Sequence, residues 1–501
     1  MRVFIRTDAS SRIGHGHVMR CLTLAERLAG DGASVTFICR EHHGHLIDLI
    51  ERKGFPVARL PHPGPGDSLT GYAAWLGVSQ QEDALQTAQV VSGEVSDWIV
   101  VDHYALDADW ETPIRQLGGK LLAIDDLANR HHNCDVLLDQ NLVAEIEHRY
   151  DQLISLETIR LLGPQYALLQ SDYAVLAANR VAGGIAKPRI LIFMGGADRG
   201  TTLKAVQGLL QLNPKDTACD IVIADTHPDR AAIEDLVASC PLIQVHGSLP
   251  SLAPLMAKAT LAVGAGGATS WERLCLGLRS VVVILADNQR AIAEELARRN
   301  LVTIAGEAAT VASDDFRHTL DKELHGGTPR LPMDIVDGRG ADRVAAVMSV
   351  DSRTVPVLRA ATAADENLLL KWANDPVVRS NAFDSRPITS QEHREFFTAR
   401  LADTEHCLFL IANTECGMPL GQVRFDRRDD VWVIDYSVAP QFRGRGMGKA
   451  ILEGAIKLMH PGATVVGEVL ADNLASHRVF RSLGFEGTPG RQGATRYEMH
   501  L

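Results

Sequence analysis

Over the first 350 residues, short runs rich in valine, isoleucine and leucine alternate with amphipathic stretches. Arg2–Arg6, Ser34–Cys39, Trp98–Asp102, Lys120–Asp125, Val136–Asp139, Arg189–Met194, Asp220–Ala224, Leu261–Gly264 and Ser280–Leu285 read as strands. Val18–Ala29 reads as a helix, because Leu22, Leu24, Ala25 and Leu28 share one stripe. Apolar strands alternating with helices predict α/β architecture with parallel sheets covered on both faces. The small-residue stretch 177–188 (AANRVAGGIAKP) divides the series into two Rossmann-like lobes, 1–178 and 186–350.

Beyond a second break at 350–357 the texture changes. Helical patterns at Asp365–Ala373 and Thr389–Leu401 precede strands at Cys407–Ala412, Gly421–Asp426 and Val431–Val438. A glycine run, a helix Lys449–Met459, a strand Ala463–Leu470, another helix and a short final strand complete the chain. That order predicts an antiparallel-rich α+β domain over 355–501.

Composition narrows the function. Of 501 residues, 46% are hydrophobic and 22% charged, which is globular rather than disordered. The formal charge of −12 argues against a non-specific nucleic-acid binder. The 8 cysteines form no CxxC pair, so neither a disulfide scaffold nor a four-cysteine zinc site is expected. No apolar run approaches the ~18 residues of a membrane span, and Arg2, Arg6 and Asp8 interrupt any secretory signal. A soluble cytoplasmic protein is expected.

The chemistry gathers at loops that follow strands. After the first strand comes S-S-R-I-G-H-G-H, with Gly14 and Gly16 before a helix and His17 at the junction. Such a loop lets backbone amides approach an anion. It is neither GxGxxG nor a P-loop. His17 either exchanges protons near neutral pH or only caps the turn. Asp102-His103-Tyr104, Asp125-Asp126 and Asn141 also follow strands. His131, His132 and Cys134 have no suitably spaced fourth ligand, so no metal is expected. In the second lobe, Gly195 and Gly196 follow one strand, and Gly266-Gly267-Ala268-Thr269-Ser270-Trp271-Glu272 follows another. Asn288 and Gln289 follow a third. Two glycine turns can surround a diphosphate, and Glu272 can accept ribose hydroxyls. The bland reading of the glycines is ordinary tight turns.

The order R-x-D-x-S-x-x-I-G-x-G-H, D-H-Y, D-D-L…C-D-x-L-L-x-Q-N, G-G-A-D, G-A-G-G-A-T-S-W-E resembles the UDP-sugar hydrolases of pseudaminic acid biosynthesis. The two lobes resemble the GT-B fold. The resemblance covers about residues 1–345. It implies metal-independent, inverting release of UDP from UDP-2,4-diacetamido-2,4,6-trideoxy-β-L-altropyranose, with His17 matching the catalytic histidine. UDP would lie mainly in the second lobe, and Asp8, Tyr104 and Asn141 are assigned to the sugar.

In the last domain, Q-x-x-G-x-G and N-L-A-S-H-R-V-F resemble the GNAT superfamily of acetyl-CoA-dependent N-acetyltransferases. The resemblance implies that Arg443, Gly444, Arg445, Gly446, Met447 and Gly448 cradle the pyrophosphate of acetyl-CoA, and that Asn473 and Ser476 contribute contacts. It also implies that the strand before the glycines splays from its neighbour, that the Val438 amide polarises the thioester, and that Phe480 stands where a proton-donating tyrosine is common. Glu468 or Asp435 is the candidate base, or else either is a solvated strand residue. Trp372–Pro376 and Asn381–Phe383 resemble the acceptor region of sugar-amine acetyltransferases. Together the motifs suggest N-acetylation of a UDP-4-amino-sugar followed by UDP release. The alternatives are a GT-B glycosyltransferase fused to an acetyltransferase, and a UDP-sugar sensor coupled to a protein acetyltransferase.

Overall fold

The computed structural model describes residues 1–64, 69–179, 188–196, 198–212, 216–326 and 335–501. It forms two compact units, Met1–Ala345 and Ala346–Leu501.

The first unit holds two parallel sheets. Sheet one comprises β1 (Arg2–Thr7), β2 (Ser34–Arg40), β3 (Val57–Leu60), β4 (Trp98–Asp102), β5 (Lys120–Ile124), β6 (Val136–Asp139) and β7 (Ile159–Leu162). Their order is β3-β2-β1-β4-β5-β6-β7. The chain winds outward on one side of β1 and then returns to the other side at β4. The carboxyl ends of β1 and β4 therefore open a crevice, the natural ligand position in such sheets.

Sheet two comprises β8 (Arg189–Phe193), β9 (Ala218–Val222), β10 (Ile243–His246), β11 (Leu261–Ala265), β12 (Ser280–Ile284) and β13 (Thr303–Glu307). The order β10-β9-β8-β11-β12-β13 places the same reversal between β8 and β11. The strands β1, β4, β8 and β11 that flank these reversals are nearly or fully buried along their length, as apolar strands covered on both faces must be.

One apolar cluster draws on both parts of the unit: Leu142, Leu169 and Tyr173 pack with Met256, Trp271 and Leu296. The helix Gly340–Ser349 begins against the first lobe. A Cβ on Gly340 would meet the Ala167 carbonyl oxygen at 2.2 Å, so only glycine fits. The stretch 177–188, expected to separate the lobes, falls largely outside the described residues.

The second unit is one mostly antiparallel sheet. Its strands are β14 (Val357–Ala360), β15 (Cys407–Asn413), β16 (Pro419–Arg428), β17 (Val431–Val438), β18 (Thr464–Val469), β19 (Glu486–Pro489) and β20 (Thr495–His500). They lie in the order β14-β15-β16-β17-β18-β20-β19. The single parallel pair, β17 with β18, runs only from Val431↔Thr464 to Val433↔Val466. Beyond it β17 stays paired with β16 as far as Val438, while β18 pairs with β20. The two middle strands thus diverge toward the end of β17 that enters the glycine run. Among the described residues, no helix is long and apolar enough to cross a membrane.

Candidate active sites

At the first crevice the loop after β1 folds on itself. Ser10 Oγ accepts the amides of Arg12 (3.2 Å) and Ile13 (2.9 Å), and Gly14 turns the chain at φ +82°. The helix Gly16–Gly30 begins there, with His17 in its first turn. Asp102, the last residue of β4, lies opposite: His17 Nδ1 is 2.6 Å from Asp102 Oδ1. Arg20, one turn along the same helix, donates Nε to Oδ2 and Nη2 to Oδ1 of Asp102, both at 2.6 Å. Burial works against the charge on Asp102, but Arg20 and then His17 outweigh it and hold the carboxyl well below the usual range. Arg20 Nη2 lies 3.3 Å from the same Nδ1, and the tautomer with its proton on Nδ1, bonded to the ionised Asp102, is the one that presents a lone pair at Nε2.

Arg20 also donates Nη1 to Asp126 (2.6 Å). Asp126 further accepts the Tyr104 hydroxyl (2.8 Å) and the Asn141 amide (3.1 Å). Burial and then Asp126 push the Tyr104 phenol well up, so it stays protonated. The structure therefore gathers His17, Tyr104 and Asn141 around Asp102, Arg20 and Asp126.

Asp8 requires a correction. Its side chain is fully buried, and its oxygens are taken by Arg6 (2.8 Å) and the Arg40 amide (2.7 Å). Arg6 and Arg40 bind Asp83 as well, at 2.7 and 2.6 Å. Asp8 belongs to an internal charge network and cannot reach a sugar. His132, weighed above as a metal ligand, lies 2.7 Å from Glu111 and 3.6 Å from Asp125. Burial opposes the imidazolium, but the two carboxylates push His132 up to about 9. Among the described residues no group of three or more His, Cys, Asp and Glu is arranged to hold a metal ion.

In the second lobe the loops after β8 and β11 flank the chain reversal. Gly195 takes φ +81°, and Cβ atoms on Gly195 or Gly196 would meet nothing within 4 Å. Gly266 and Gly267 pack beside Gln289, whose Oε1 accepts the Leu285 amide at 3.1 Å. Asn288 is exposed. Arg273 donates to Thr269 Oγ1 (3.1 Å), Ser270 Oγ (3.0 Å) and the Ala265 carbonyl (2.8 Å). Burial with no close carboxylate bond brings its guanidinium down to about 10. Ser270 is 1% exposed, so its hydroxyl braces the loop from inside and is not a ligand contact. Thr269 is half-buried and keeps its own proton for donation. Glu272 accepts the Tyr173 hydroxyl at 2.7 Å on one oxygen, and burial pushes its carboxyl up.

In the second unit the glycine run joins β17 to the helix Met447–Ile456. Gly444 and Gly446 take φ +73° and +82°, values that glycine alone adopts freely. Met447 is buried, and a Cβ on Gly448 would lie 3.4 Å from the Tyr436 ring. Arg443 bonds the Val438 carbonyl (3.2 Å) and pairs with Asp375 (2.8 Å). The Arg445 guanidinium donates to the Val347 and Val350 carbonyls at the end of the preceding helix, so the charge expected of it at a pyrophosphate is committed elsewhere and only its backbone amide is left for that role. Asn473 caps the helix Leu474–Ser482 by accepting the Ser476 amide at 3.1 Å. Ser476 Oγ accepts the Tyr436 hydroxyl at 3.0 Å. Phe480 is buried and stacks 5.1 Å from Tyr497. Glu468 pairs with Arg491 at 2.8 Å, whereas Asp435 is more open and accepts from Gln422 (2.8 Å).

Residues 357–486 match the family model described as acetyltransferase (GNAT) domain. The UDP-2,4-diacetamido-2,4,6-trideoxy-β-L-altropyranose hydrolase of Campylobacter jejuni is 26% identical over 302 residues, 60% of this chain and 97% of that protein. This chain joins a hydrolase-like front to a GNAT acetyltransferase domain. An uncharacterised protein of Methanocaldococcus jannaschii is 22% identical along 100% of both chains. The crystal structure of MurG from Acinetobacter baumannii superposes with a TM-score of 0.50 at 16% identity, covering 69% of this chain and 99% of that one. The front is a GT-B-like pair of lobes.

Asp102, Arg20 and Tyr173 complete these sites, yet none was assigned a role from the sequence. The signal for Arg20 was present in its spacing: three residues after His17, it shares the helix face that meets β4. Tyr436 in the GNAT domain carries no comparable signal. Only the divergence of β17 from β18 brings it to Ser476.

Proposed function

We propose that the protein is a bifunctional nucleotide-sugar enzyme. The GNAT domain transfers acetyl from acetyl-CoA to the amine of a UDP-4-amino-sugar, and the front unit hydrolyses the resulting UDP-2,4-diacetamido-2,4,6-trideoxyhexose. The observation that carries the reading is the His17–Asp102–Arg20 arrangement at the crevice of sheet one. His17 Nε2 accepts a proton from water, the water oxygen bonds to the anomeric carbon, and the bond from that carbon to the diphosphate oxygen breaks with its electron pair leaving on UDP. The products are UDP and the free sugar with inverted anomeric configuration. Tyr104 and Asn141 line the sugar side. Gly195, Gly196, Gly266, Gly267 and Thr269 offer amides and a hydroxyl to UDP, and Glu272 offers its second oxygen to ribose.

In the acetyltransferase, the divergence of β17 frees Val438 to face the thioester. Gly444, Gly446 and the capped helix at Asn473 receive the coenzyme. Asp435 is the more accessible of the two candidate bases: its side chain is 55% exposed with Arg424 at 3.7 Å, whereas Glu468 is 24% exposed and bonded to Arg491. Mass spectrometry of a UDP-4-amino-sugar incubated with the protein tests both steps. With acetyl-CoA the sugar gains one acetyl group and then loses UDP. Release of UDP only when a sugar acceptor is added would identify a glycosyltransferase, and binding without turnover would identify a sensor.

A further inference from the structure

Beside His17 stands a set of aromatic rings of which the reaction above uses only Tyr104. The Tyr104 ring meets the His17 imidazole edge-on at 4.5 Å. Trp75 stacks beside Tyr104 at 5.7 Å and lies 6.5 Å from His17. Tyr72 closes the group, 4.8 Å from Trp75 and 5.1 Å from Tyr104. Tyr72 and Trp75 are half-exposed, on a short helical turn anchored by Leu76, which is 1% exposed. Gly77 ends that turn at φ +76°, pressed so closely on Pro63 that a Cβ would lie 2.5 Å away. The wall is therefore held from below, and among the described residues Tyr72 and Trp75 keep part of their surface exposed. Its Tyr104 hydroxyl is committed to Asp126, so that residue presents ring carbon rather than a hydrogen-bonding group. The Arg130 guanidinium sits 6.0 Å from the Tyr104 ring and disfavours a second cation there. Burial raises the Tyr72 phenol, so it stays protonated.

We infer that Trp75 and Tyr72, with Tyr104, are the specificity wall for the sugar, receiving its methyl-bearing face (a deoxygenated C6 and acetamido methyls) and selecting against sugars with a hydroxymethyl or a free ammonium. A substrate whose anomeric carbon reaches His17 has to lay part of its ring against this wall. Methyl groups gain from aromatic faces, whereas a hydroxyl laid on ring carbon loses water for little return and an ammonium is repelled by Arg130. This inference rests on the UDP-sugar reading of the same crevice. It implies that the amino-sugar becomes a good hydrolase substrate only after acetylation, which orders the two steps.

The test uses the full-length protein with three ligands: the UDP-diacetamido-trideoxy sugar, UDP-N-acetylglucosamine and UDP. Affinities are measured by calorimetry in a His17→Asn background, where the first ligand is not turned over, and UDP release from it is followed with His17 intact. Trp75→Ala should weaken the trideoxy sugar about tenfold. UDP should bind as before, and UDP-N-acetylglucosamine should change less than about threefold. Trp75→Phe should restore most of the loss, which guards against misfolding of the alanine variant. Equal weakening of all three ligands, or no weakening of the first, overturns the wall. Failure of the wild type to bind UDP at all would overturn the nucleotide-sugar reading instead.

Discussion

A histidine that takes a proton from water needs its other nitrogen held by an acceptor, and in the proposed reaction Asp102, 2.6 Å from His17 Nδ1, fills that place. Arg20 supplies the charge that keeps Asp102 ionised inside the fold. His17→Asn should lower UDP release at least about a hundredfold, the usual worth of a general base, with the affinity for UDP unchanged. Asp102→Asn should cost about as much or more, because its amide can donate to Nδ1 and favour the tautomer that has lost its base at Nε2. Steady-state kinetics on purified variants checks both, and near-normal turnover would remove the residue concerned from the mechanism. His132 carries a stability prediction. Its folded value of about 9 lies above the ordinary value of 6.5. Its contribution is therefore fully present below about pH 6.5 and is lost as pH rises through about 9. That contribution is at most about 3 kcal/mol. Thermal melts should show wild-type stability falling across this window, and His132→Gln should flatten the fall.

At the scale of elements, the strands whose apolar runs announced them are those flanked on both sides. The strands that went unread are β3 (VARL), β7 (IRLL), β10 (IQVH), β13 (TIAGE), β14 (VLRA) and β19 (EGTP), and each closes the edge of its sheet. An edge strand needs only a few residues and tolerates arginine, glutamine or histidine toward water, so its pattern is short and broken. The glycine run after β17 was legible for the opposite reason: left-handed backbone leaves little choice of residue. Gly444→Val should strain a position at φ +73° where nothing crowds the new side chain. Acetyl-CoA affinity, measured by calorimetry, should fall at least about tenfold, corresponding to a strain of about 1–2 kcal/mol. UDP release from an already acetylated substrate should be untouched, and retained acetyl-CoA affinity would refute the assignment of the loop.

At the scale of the whole molecule, the prediction concerns order. If the GNAT domain makes what the front unit consumes, His17→Asn should accumulate the acetylated UDP-sugar from a UDP-4-amino-sugar and acetyl-CoA. Gly444→Val should leave the amino-sugar unchanged yet still hydrolyse the acetylated compound. Mass spectrometry of the two reactions separates these outcomes, and UDP release from the unacetylated sugar by Gly444→Val would reverse the proposed sequence. Covalent linkage of the two sites raises the local concentration of the intermediate at the second site.

The periodicity of apolar residues and the glycines in forced backbone conformations determine which segments become strands, helices and anion-facing loops, because these are local consequences of side-chain burial and backbone sterics. They placed His17 at a strand-to-helix junction and the coenzyme loop after β17. The partners of charged side chains were decided by tertiary structure alone. Asp8 directly follows β1 and Asp102 ends β4, yet Arg6 draws Asp8 into the core while Arg20 turns Asp102 toward His17. The Arg445 guanidinium, similarly, bonds the carbonyls at a helix end. A buried charge is satisfied by whichever opposite charge or carbonyl the fold brings within about 3 Å, and that distance is written nowhere in the order of residues.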